Sequence, residues 1–377
     1  MTNIEKYIEA HMDETKELLK ILAKIPAPSH HEEKRAEFIK NWLENQGAKG
    51  VYIDEALNVI YPVNCDKSDD IVVFMAHTDV VFPDTEELPF KEENGRFYAP
   101  GVGDDTACLV LMLMVTKYII ENNIQTDRGI LIVANSCEEG LGNLKGSKTI
   151  MKNFKGRISE FYTFDGSYNH VVDRAVGSHR YEVTCETIGG HSYGKFGNPN
   201  AIAELSKLIT ELYKVEVPKK EGCKTTYNVG VIEGGTSVNT IAQSAKMLYE
   251  YRSDDAECIG IMKKTFEELV EKANAEGKGK FTVNVVGIRP CGEGVDPVVH
   301  ERMLSSSVAI IEKYTGNTCV RQSGSTDANS ALAEGVPAVC VGSIWGVGAH
   351  TREEYVELDS LPIGMRITHD IMMQYFK

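Results

Sequence analysis

The sequence of 377 residues lacks the features that place a protein in a membrane or on nucleic acid. No stretch approaches the roughly 20 apolar residues of a membrane span, and residues 1–20 have a charged amphipathic helix pattern without the apolar core of a signal peptide. Lys and Arg form no run long enough to follow a phosphate backbone, and the net charge is −15. These absences predict a soluble, cytoplasmic protein that binds neither nucleic acid nor membranes.

Paired cysteine motifs are absent as well. The nine cysteines are scattered, with no Cys-x-x-Cys spacing, which is typical of reduced, mostly buried thiols in a cytosolic protein. No internal repeat or low-complexity tract is present. Because 377 residues exceed what a single hydrophobic core usually supports, two domains are expected.

The sequence does contain alternating strand and helix patterns. Short apolar runs typical of strands buried on both faces occur at residues 71–75, 129–133, 161–164 and 338–341. Such strands pair in parallel through crossover connections, and residues 106–121 supply one as a helix that is apolar nearly all round. Ser29 followed by Glu32 matches a capping box for a helix that stops at Gly47. We therefore predict an α/β domain with a mixed, mostly parallel sheet flanked by helices.

One segment interrupts this alternation. Between residues 175 and 288 the patterns run strand, helix, strand, strand, helix, strand, which is the order of the split β-α-β-β-α-β unit. The sequence thus predicts an inserted α+β domain over residues 175–288. Residues 1–174 and 289–377 then form the two parts of the surrounding domain.

Five potential metal ligands follow one another along the chain, each expected where an apolar strand runs out into a loop. They are His77, Asp104, Glu139, Asp165 and His350. Singly, each could be a helix cap, a turn residue or a surface side chain. Together they are more informative, because open parallel sheets bind ligands at the carboxyl ends of their strands. Two His and three carboxylates can hold two divalent ions if one carboxylate bridges.

Two further acidic residues accompany these ligands. Asp79 stands two positions after His77, where it can accept a hydrogen bond from the second ring nitrogen and fix the tautomer. Glu138 directly precedes Glu139, and adjacent like charges beside a sheet are costly unless a cation is present. A solvated loop is the alternative interpretation of this pair.

With these residues in this order, the sequence resembles the M20 family of dinuclear zinc peptidases and deacylases over essentially its whole length. The resemblance implies a zinc-exopeptidase-like fold in which Asp104 bridges two metal ions. His77 and Asp165 would complete one site, and Glu139 and His350 the other. Two ions per subunit are implied; imidazole and carboxylate ligands suit zinc, with manganese or cobalt as alternatives.

The resemblance also implies residues that act on the substrate. Glu138 corresponds to the general base and Asp79 to the partner of the first histidine. His191, in Gly-Gly-His-Ser, corresponds to a lid histidine that reaches the neighbouring active site. A homodimer follows, with residues 175–288 as its lid and dimerisation domain. The implied substrate contacts are Asn239, Arg252, Gly324, Ser325 and Thr326.

These implications predict a metal-dependent amide-bond hydrolase that uses a water activated by two metal ions. Glu138 would take the proton of that water and His191 would donate to the oxyanion. An aminopeptidase on di- or tripeptides is favoured, because the Gly-Ser-Thr-Asp-Ala-Asn segment at 324–329 and Ala175, in place of the desuccinylases' arginine, point that way. The alternative is an N-acyl amino acid deacylase of the acetylornithine deacetylase or desuccinylase type. A non-catalytic metal-binding module is more distant, since it has no need of Glu138.

Two other chemistries fit less well. Cys137 could be the nucleophile of a cysteine amidohydrolase, but the two adjacent glutamates would raise rather than lower its pKa. Residues 146–149, Gly-Ser-Lys-Thr, suggest a phosphate-binding loop, but Ser147 separates the glycine and lysine that this motif needs side by side.

Overall fold

The computed structural model describes residues 3–377, so Met1 and Thr2 of the predicted N-terminal helix lie outside the described residues. The chain divides into two compact units. The first comprises the chain up to Ala175 together with Glu293–Lys377, and the second is Val176–Gly292. The sequence predicts these boundaries after residues 174 and 288.

The first unit contains an eight-stranded sheet. Its strands are β1 (Tyr52–Ile53), β2 (Val59–Val63), β3 (Ile71–His77), β6 (Gly129–Asn135), β7 (Ile158–Phe164), β8 (His170–Ala175), β15 (Val320–Gly324) and β16 (Ala338–Val341), in the spatial order β1-β2-β6-β3-β7-β16-β8-β15. The four central strands, β6, β3, β7 and β16, are parallel to one another. The outer pairs include antiparallel ones, β1 with β2, β2 with β6 and β16 with β8. The predicted mixed, mostly parallel sheet is confirmed.

Helices cover both faces of this sheet. They are α1 (Asn3–Lys24), α2 (Glu33–Asn45), α3 (Ala107–Glu121), α4 (Lys145–Asn153), α7 (Pro297–Thr315), α8 (Ala328–Leu332) and α9 (Ser360–Met372). Strand β3 is buried throughout, and its alternate side chains enter two different cores. Phe74 packs with the side chains of α3, which is buried almost all round as predicted, whereas Val73 packs on the α4 and α8 side. Two-sided burial explains why β3 has no polar alternation.

The predicted capping box at the start of α2 is wrong. Glu32 occupies the N-cap position but makes no side-chain cap, and the helix begins at Glu33. The Ser29 hydroxyl instead donates to Asp79 Oδ2 at 2.7 Å, and Glu32 Oε1 accepts the backbone N–H of Cys137 at 3.0 Å. Both side chains are therefore taken by buried loops of the same unit, which compete successfully with the local cap.

A small antiparallel sheet completes the first unit. It contains β4 (Lys91–Glu93), β5 (Arg96–Tyr98), β17 (Gly346–Val347) and β18 (Tyr355–Glu357), in the order β17-β18-β5-β4. The β17–β18 turn carries His350, and β5 leads towards Asp104. This sheet therefore brings together two segments that are distant in sequence.

The second unit is a four-stranded antiparallel sheet with two helices. Its main strands are β9 (Gly177–Glu186), β11 (Thr225–Gly234), β13 (Ser244–Ser253) and β14 (Lys280–Arg289), in the order β11-β13-β9-β14, and its helices are α5 (Ala201–Leu212) and α6 (Ala256–Ala275). A short ladder pairs β10 (Gly190–His191) with β12 (Thr240–Ile241). Tyr181 and Val183 of β9 face a core that includes Leu205 and Phe266 of the two helices. This is the split β-α-β-β-α-β arrangement.

Two simpler expectations can be compared with the described residues. All nine cysteines are free thiols, and all except Cys223 are buried. Within residues 3–377, none of the helices is long and apolar enough to cross a membrane.

Candidate metal centre

The carboxyl ends of neighbouring strands assemble three of the predicted ligands. His77 is the last residue of β3, Asp165 directly follows β7, and Glu139 lies in the loop after β6. Because β6, β3 and β7 are adjacent and parallel, their carboxyl ends meet at one edge of the sheet. His350 reaches this edge from the β17–β18 turn, where its φ is +65°.

Asp104 does not follow an apolar strand, so this part of the prediction is wrong. It lies in an irregular turn, Val102–Thr106, that leads into α3, and its φ of −118° and ψ of 88° are not helical. The turn follows Gly101, whose φ of +72° redirects the chain and whose added Cβ would lie 2.2 Å from Val80 Cγ1. The peptide bond after Asp104 is cis. A turn that begins after a glycine, rather than a strand end, therefore carries this predicted ligand.

The two oxygens of Asp104 face different histidines. Oδ1 lies 3.0 Å from His77 Nε2, and Oδ2 lies 3.2 Å from His350 Nε2. His350 Nε2 is also 3.3 Å from Glu139 Oε2. One potential ligand atom each from His77, Asp104 and Glu139 lie within 4.8 Å of one another. Asp104 thus lies between the two histidines, with one carboxylate oxygen facing each of them.

Electrostatics show how strongly these groups act on one another. Hydrogen bonds to Asp104 and Glu139 raise the pKa of His350 to about 10. Burial raises the pKa of Glu139 to about 7, and burial with the charge of Asp104 raises the pKa of Asp165 well above its usual range. Burial alone would lower the pKa of His77, but hydrogen bonds to Asp104 and Asp79 outweigh it and raise the pKa.

The residues present fit a pair of divalent cations. Six carboxylates and two imidazoles form a cluster in which each group interacts with at least one other: Asp79, Asp104, Asp105, Glu138, Glu139 and Asp165 with His77 and His350. Glu139 Oε1 is buried and finds no hydrogen-bond partner among residues 3–377. Buried acidic groups in such excess call for bound cations. Imidazole and carboxylate donors suit zinc, and manganese or cobalt accept the same set.

Asp79 contacts both His77 and the loop that carries Glu138 and Glu139. His77 Nδ1 lies 3.1 Å from the main-chain carbonyl of Asp79 and 3.5 Å from its carboxylate Oδ1, so the carbonyl is the nearer acceptor. The carboxylate accepts the backbone N–H groups of Glu138 and Glu139 at 2.9 and 3.0 Å. The predicted contact with the ring is therefore mainly to the backbone of Asp79, while its side chain holds the loop.

Glu138 is buried beside this ligand set, with 6% exposure, which excludes the solvated-loop alternative. Burial of Asp327, together with the charge of Glu138, raises the pKa of Asp327 to about 7. Asp327 follows the predicted substrate residues: Gly324 ends β15, and Ser325 and Thr326 lie in the turn between β15 and α8. Asn135, at the end of β6, donates to Asp327 Oδ2 at 2.6 Å. This turn therefore lies at the same edge of the sheet as the ligands.

Three charged residues of the site are not predicted by the sequence. Asp105 Oδ2 accepts the backbone N–H of His77 at 3.1 Å, and the Glu354 carboxylate accepts backbone N–H groups of the Asp104 turn. The fully buried Arg35 donates to the Thr78 carbonyl at 2.8 Å. These contacts are all with backbone groups, which leave no side-chain pattern in the sequence.

The remaining predicted residues belong to the second unit. His191 is exposed in β10, and its Nδ1 lies 3.3 Å from the N–H groups of Tyr193 and Gly194. Asn239 lies beside it, because its carbonyl accepts the N–H of Ser192 at 2.9 Å. Arg252, in β13, donates from Nε and Nη2 to Glu250 at 2.9 and 3.0 Å. Within this unit the structure thus brings His191 and Asn239 together and gives Arg252 an acidic partner.

The thiol alternative is not supported by its surroundings. Cys137 is buried, and burial followed by the charge of Glu32 raises its pKa to about 12. A nucleophilic cysteine requires a lowered pKa. Cys137 therefore has the environment of a structural thiol.

Comparison with known proteins identifies the family. The model of peptidase family M20/M25/M40 matches residues 73–374, well over half of the chain. The chain belongs to this family. It is accordingly a metal-dependent hydrolase, and the resemblance inferred from the ligand order is confirmed.

Similar proteins include both peptidases and deacylases. Carboxypeptidase G2 of Pseudomonas sp. (strain RS-16) is 23% identical over 303 residues, covering 77% of this chain and 70% of that protein. Acetylornithine deacetylase of Myxococcus xanthus is 25% identical over 309 residues, covering 77% and 76%. A solved tripeptidase structure from Staphylococcus aureus superposes with a TM-score of 0.75 at 21% identity, covering 97% of this chain and 98% of that one. The structural likeness shows a shared fold.

Proposed function

We propose that this metallohydrolase is a cytoplasmic aminopeptidase that removes residues from di- or tripeptides with two divalent ions, zinc by preference, in each subunit of a homodimer. Asp104 would bridge the ions, with His77 and Asp165 on one and Glu139 and His350 on the other. The observation that supports this most directly is the position of Asp104, whose two carboxylate oxygens face two different histidines at 3.0 and 3.2 Å.

The bound ions would supply Lewis acidity, polarising the scissile carbonyl and lowering the pKa of a water to about 7. Glu138 would take the proton of the attacking water on its carboxylate and pass it to the leaving amine. Its burial and its place beside Glu139 support this role, since the Asp79 carboxylate fixes both backbone N–H groups at 2.9 and 3.0 Å. A base held in this way stays at a fixed position relative to the reacting atoms.

Predicted substrate-binding residues occur in each unit of the chain. We assign Gly324, Ser325 and Thr326 to the wall of the site, because the next residue, Asp327, interacts with Glu138. His191 would stabilise the oxyanion of the neighbouring subunit's substrate, and Asn239 lies next to it. Arg252 would bind a substrate carboxylate, for which a guanidinium offers two parallel hydrogen bonds.

An N-acyl amino acid deacylase is the second candidate. The observation that favours it is the 25% identity to acetylornithine deacetylase over 77% of this chain. The preference for peptides comes from the 324–329 segment, from Ala175 in place of the desuccinylase arginine, and from the fold shared with the tripeptidase. Both candidates cleave an amide bond, so the substrate panel must distinguish them.

The decisive experiment is a metal-reconstituted activity panel that compares free tripeptides and dipeptides with N-acetyl and N-succinyl amino acids. Faster turnover of free peptides supports the aminopeptidase, whereas faster turnover of acyl amino acids selects the deacylase. Activity on neither class, in protein shown to contain two ions per subunit, would contradict the proposal.

Glu138→Gln tests the general base in the same assay. We expect this variant to keep two ions but to lose about 10²–10⁴ in turnover, the usual contribution of a positioned acid or base. Glu139→Gln should lose metal, because Glu139 is a proposed ligand, and Glu353→Gln, at an exposed position, should match wild type. Loss of metal from Glu138→Gln would reverse the assignment of the pair.

A further inference from the structure

One buried carboxylate contacts the metal centre without belonging to the ligand set. Glu354 is 1% exposed. Its Oε1 accepts the N–H groups of Gly103 and Asp104 at 2.7 and 2.8 Å, and its Oε2 accepts the N–H of Gly101 at 2.9 Å. A single side chain thus binds three amides of the turn that presents Asp104.

The same residue closes the loop that carries His350. The N–H of Thr351 donates to the Gly348 carbonyl at 2.9 Å, and the N–H of Glu354 lies 3.4 Å from the Thr351 carbonyl. At Gly348, whose φ is +84°, an added Cβ would lie 3.3 Å from Glu354 Cα. His350 is therefore tethered, through the three intervening residues of a compact loop, to the residue whose side chain holds the Asp104 turn.

Placing a second carboxylate so close to Asp104 is energetically unfavourable, so other contacts of Glu354 must offset the cost. Burying a charged group costs free energy that charge-assisted hydrogen bonds must offset, and both acids carry the same sign. The contacts of Glu354 are all with main-chain amides of the turn, so they leave both side-chain oxygens of Asp104 available to the two histidines. The arrangement is suited to orienting the bridging carboxylate.

We infer that Glu354 is a positioning residue that couples the Asp104 turn to the His350 loop, so that the bridging carboxylate and the fifth ligand are presented as one unit to the metal ions. This inference rests on the proposed function, because it takes Asp104 as the bridge. It adds a residue that contacts neither substrate nor metal and acts through the orientation of Asp104.

Glu354→Gln tests the inference with cobalt as the probe. The amide keeps the shape of the side chain but replaces one acceptor oxygen with an NH₂ group, which cannot accept the amides of the turn. We expect the affinity for Co²⁺ to fall by about 10–100-fold, as for other partners of metal ligands, and the visible absorption of the bound Co²⁺ to change. Glu353→Gln, the exposed neighbour, is the matched control and should leave both unchanged.

Gly103→Ala approaches the same contact from the other side. A Cβ at Gly103 would lie 3.2 Å from Glu354 Oε1, so the carboxylate must shift slightly. We expect a weaker change of the same kind in Co²⁺ affinity and absorption. Gly260→Ala is its control, since no atom lies within 4 Å of a Cβ at that position. Gly103→Ala also tests the inference if circular dichroism shows that the Glu354→Gln protein does not fold.

Wild-type Co²⁺ affinity and absorption in a folded Glu354→Gln protein would overturn the inference, as would equal changes in Glu353→Gln. Metal titration requires no substrate, so its result is separate from the peptide panel. If the panel fails while Glu354→Gln weakens Co²⁺ binding, the substrate assignment is wrong and the positioning role stands.

Discussion

Loading the metal centre should release protons, and His350 should supply about one of them. Its hydrogen bonds to Asp104 and Glu139 raise its pKa to about 10. At pH 7.5 the metal-free protein therefore carries this imidazole almost entirely in the protonated form. A histidine must be neutral to bind a metal ion, so binding has to displace the proton.

The size of the effect follows from the neighbouring groups. His350 contributes about one proton at pH 7.5, and His77, whose pKa is raised by hydrogen bonds to Asp104 and Asp79, adds to this number. Glu139, with its pKa raised to about 7 by burial, is about one quarter protonated at this pH and adds that fraction. Asp165, whose pKa is also raised by burial and by the charge of Asp104, adds to the release as well. Filling both sites should thus release more than one proton per subunit, before any proton from bound water.

The direction of the pH dependence has two consequences. Metal affinity should rise with pH, because protons compete with the ions for His350 and His77. The opposite holds for the metal-free fold: the pKa of His350 is raised above its ordinary value of about 6.5. Its ion pairs therefore stabilise that state fully below about pH 6.5 and are lost as the pH rises through about 10.

Isothermal titration of the metal-free protein in buffers of different ionisation enthalpy measures the proton count directly. His350→Ala should release about one proton fewer than wild type, whereas His31→Ala, at an exposed position, should release the same number. Equal release from wild type and His350→Ala would refute the reasoning, because His350 would then be neutral before metal binds.

Three other predictions concern the bridge, the assembly and the substrate. Asp104→Ala should lose both ions together and His350→Ala mainly one, as measured by metal analysis; loss of a single ion from each would count against a bridging Asp104. Mixing inactive His191→Ala with inactive Glu138→Gln should restore partial activity, because hybrid dimers contain one intact composite site; no recovery after verified subunit exchange would rule out sharing between subunits. Arg252→Lys should raise KM for substrates with a free α-carboxylate far more than for their C-terminal amides, and equal effects on both would show that Arg252 is not the carboxylate anchor.

Burial periodicity made most of the fold predictable. The runs at 71–75 and 129–133 are apolar at every position because both faces of β3 and β6 are covered, and a fully buried strand leaves that pattern in any sequence. The capping box failed for a different reason. Ser29 and Glu32 have the right spacing, but Asp79 and Cys137 offer them partners 50 and 105 residues away, and local spacing carries no information about such contacts.

The positions of the predicted ligands divide in the same way. The shared position of His77, Glu139 and Asp165 was predictable because strand ends in a parallel sheet meet at one edge. The position of Asp104 was not, since it depends on the turn at Gly101 and on the small sheet that joins β5 to β18. The local sequence before Asp104 contains no apolar strand from which its place could be inferred.

The acids that hold the predicted ligands in place were harder to predict, for a chemical reason. Asp105 and Glu354 act largely on backbone N–H groups, of His77 and of the Asp104 turn. Asp79 was predicted beside His77, but the hold of its carboxylate on the N–H groups of Glu138 and Glu139 was not. Every residue except proline offers such a donor, so the partner of an acid of this kind leaves no mark in the sequence. A metal ligand differs, because its side chain must be one of a few types. The order of ligands can therefore identify the family, while the geometry that makes the centre work becomes visible only when the backbone is placed.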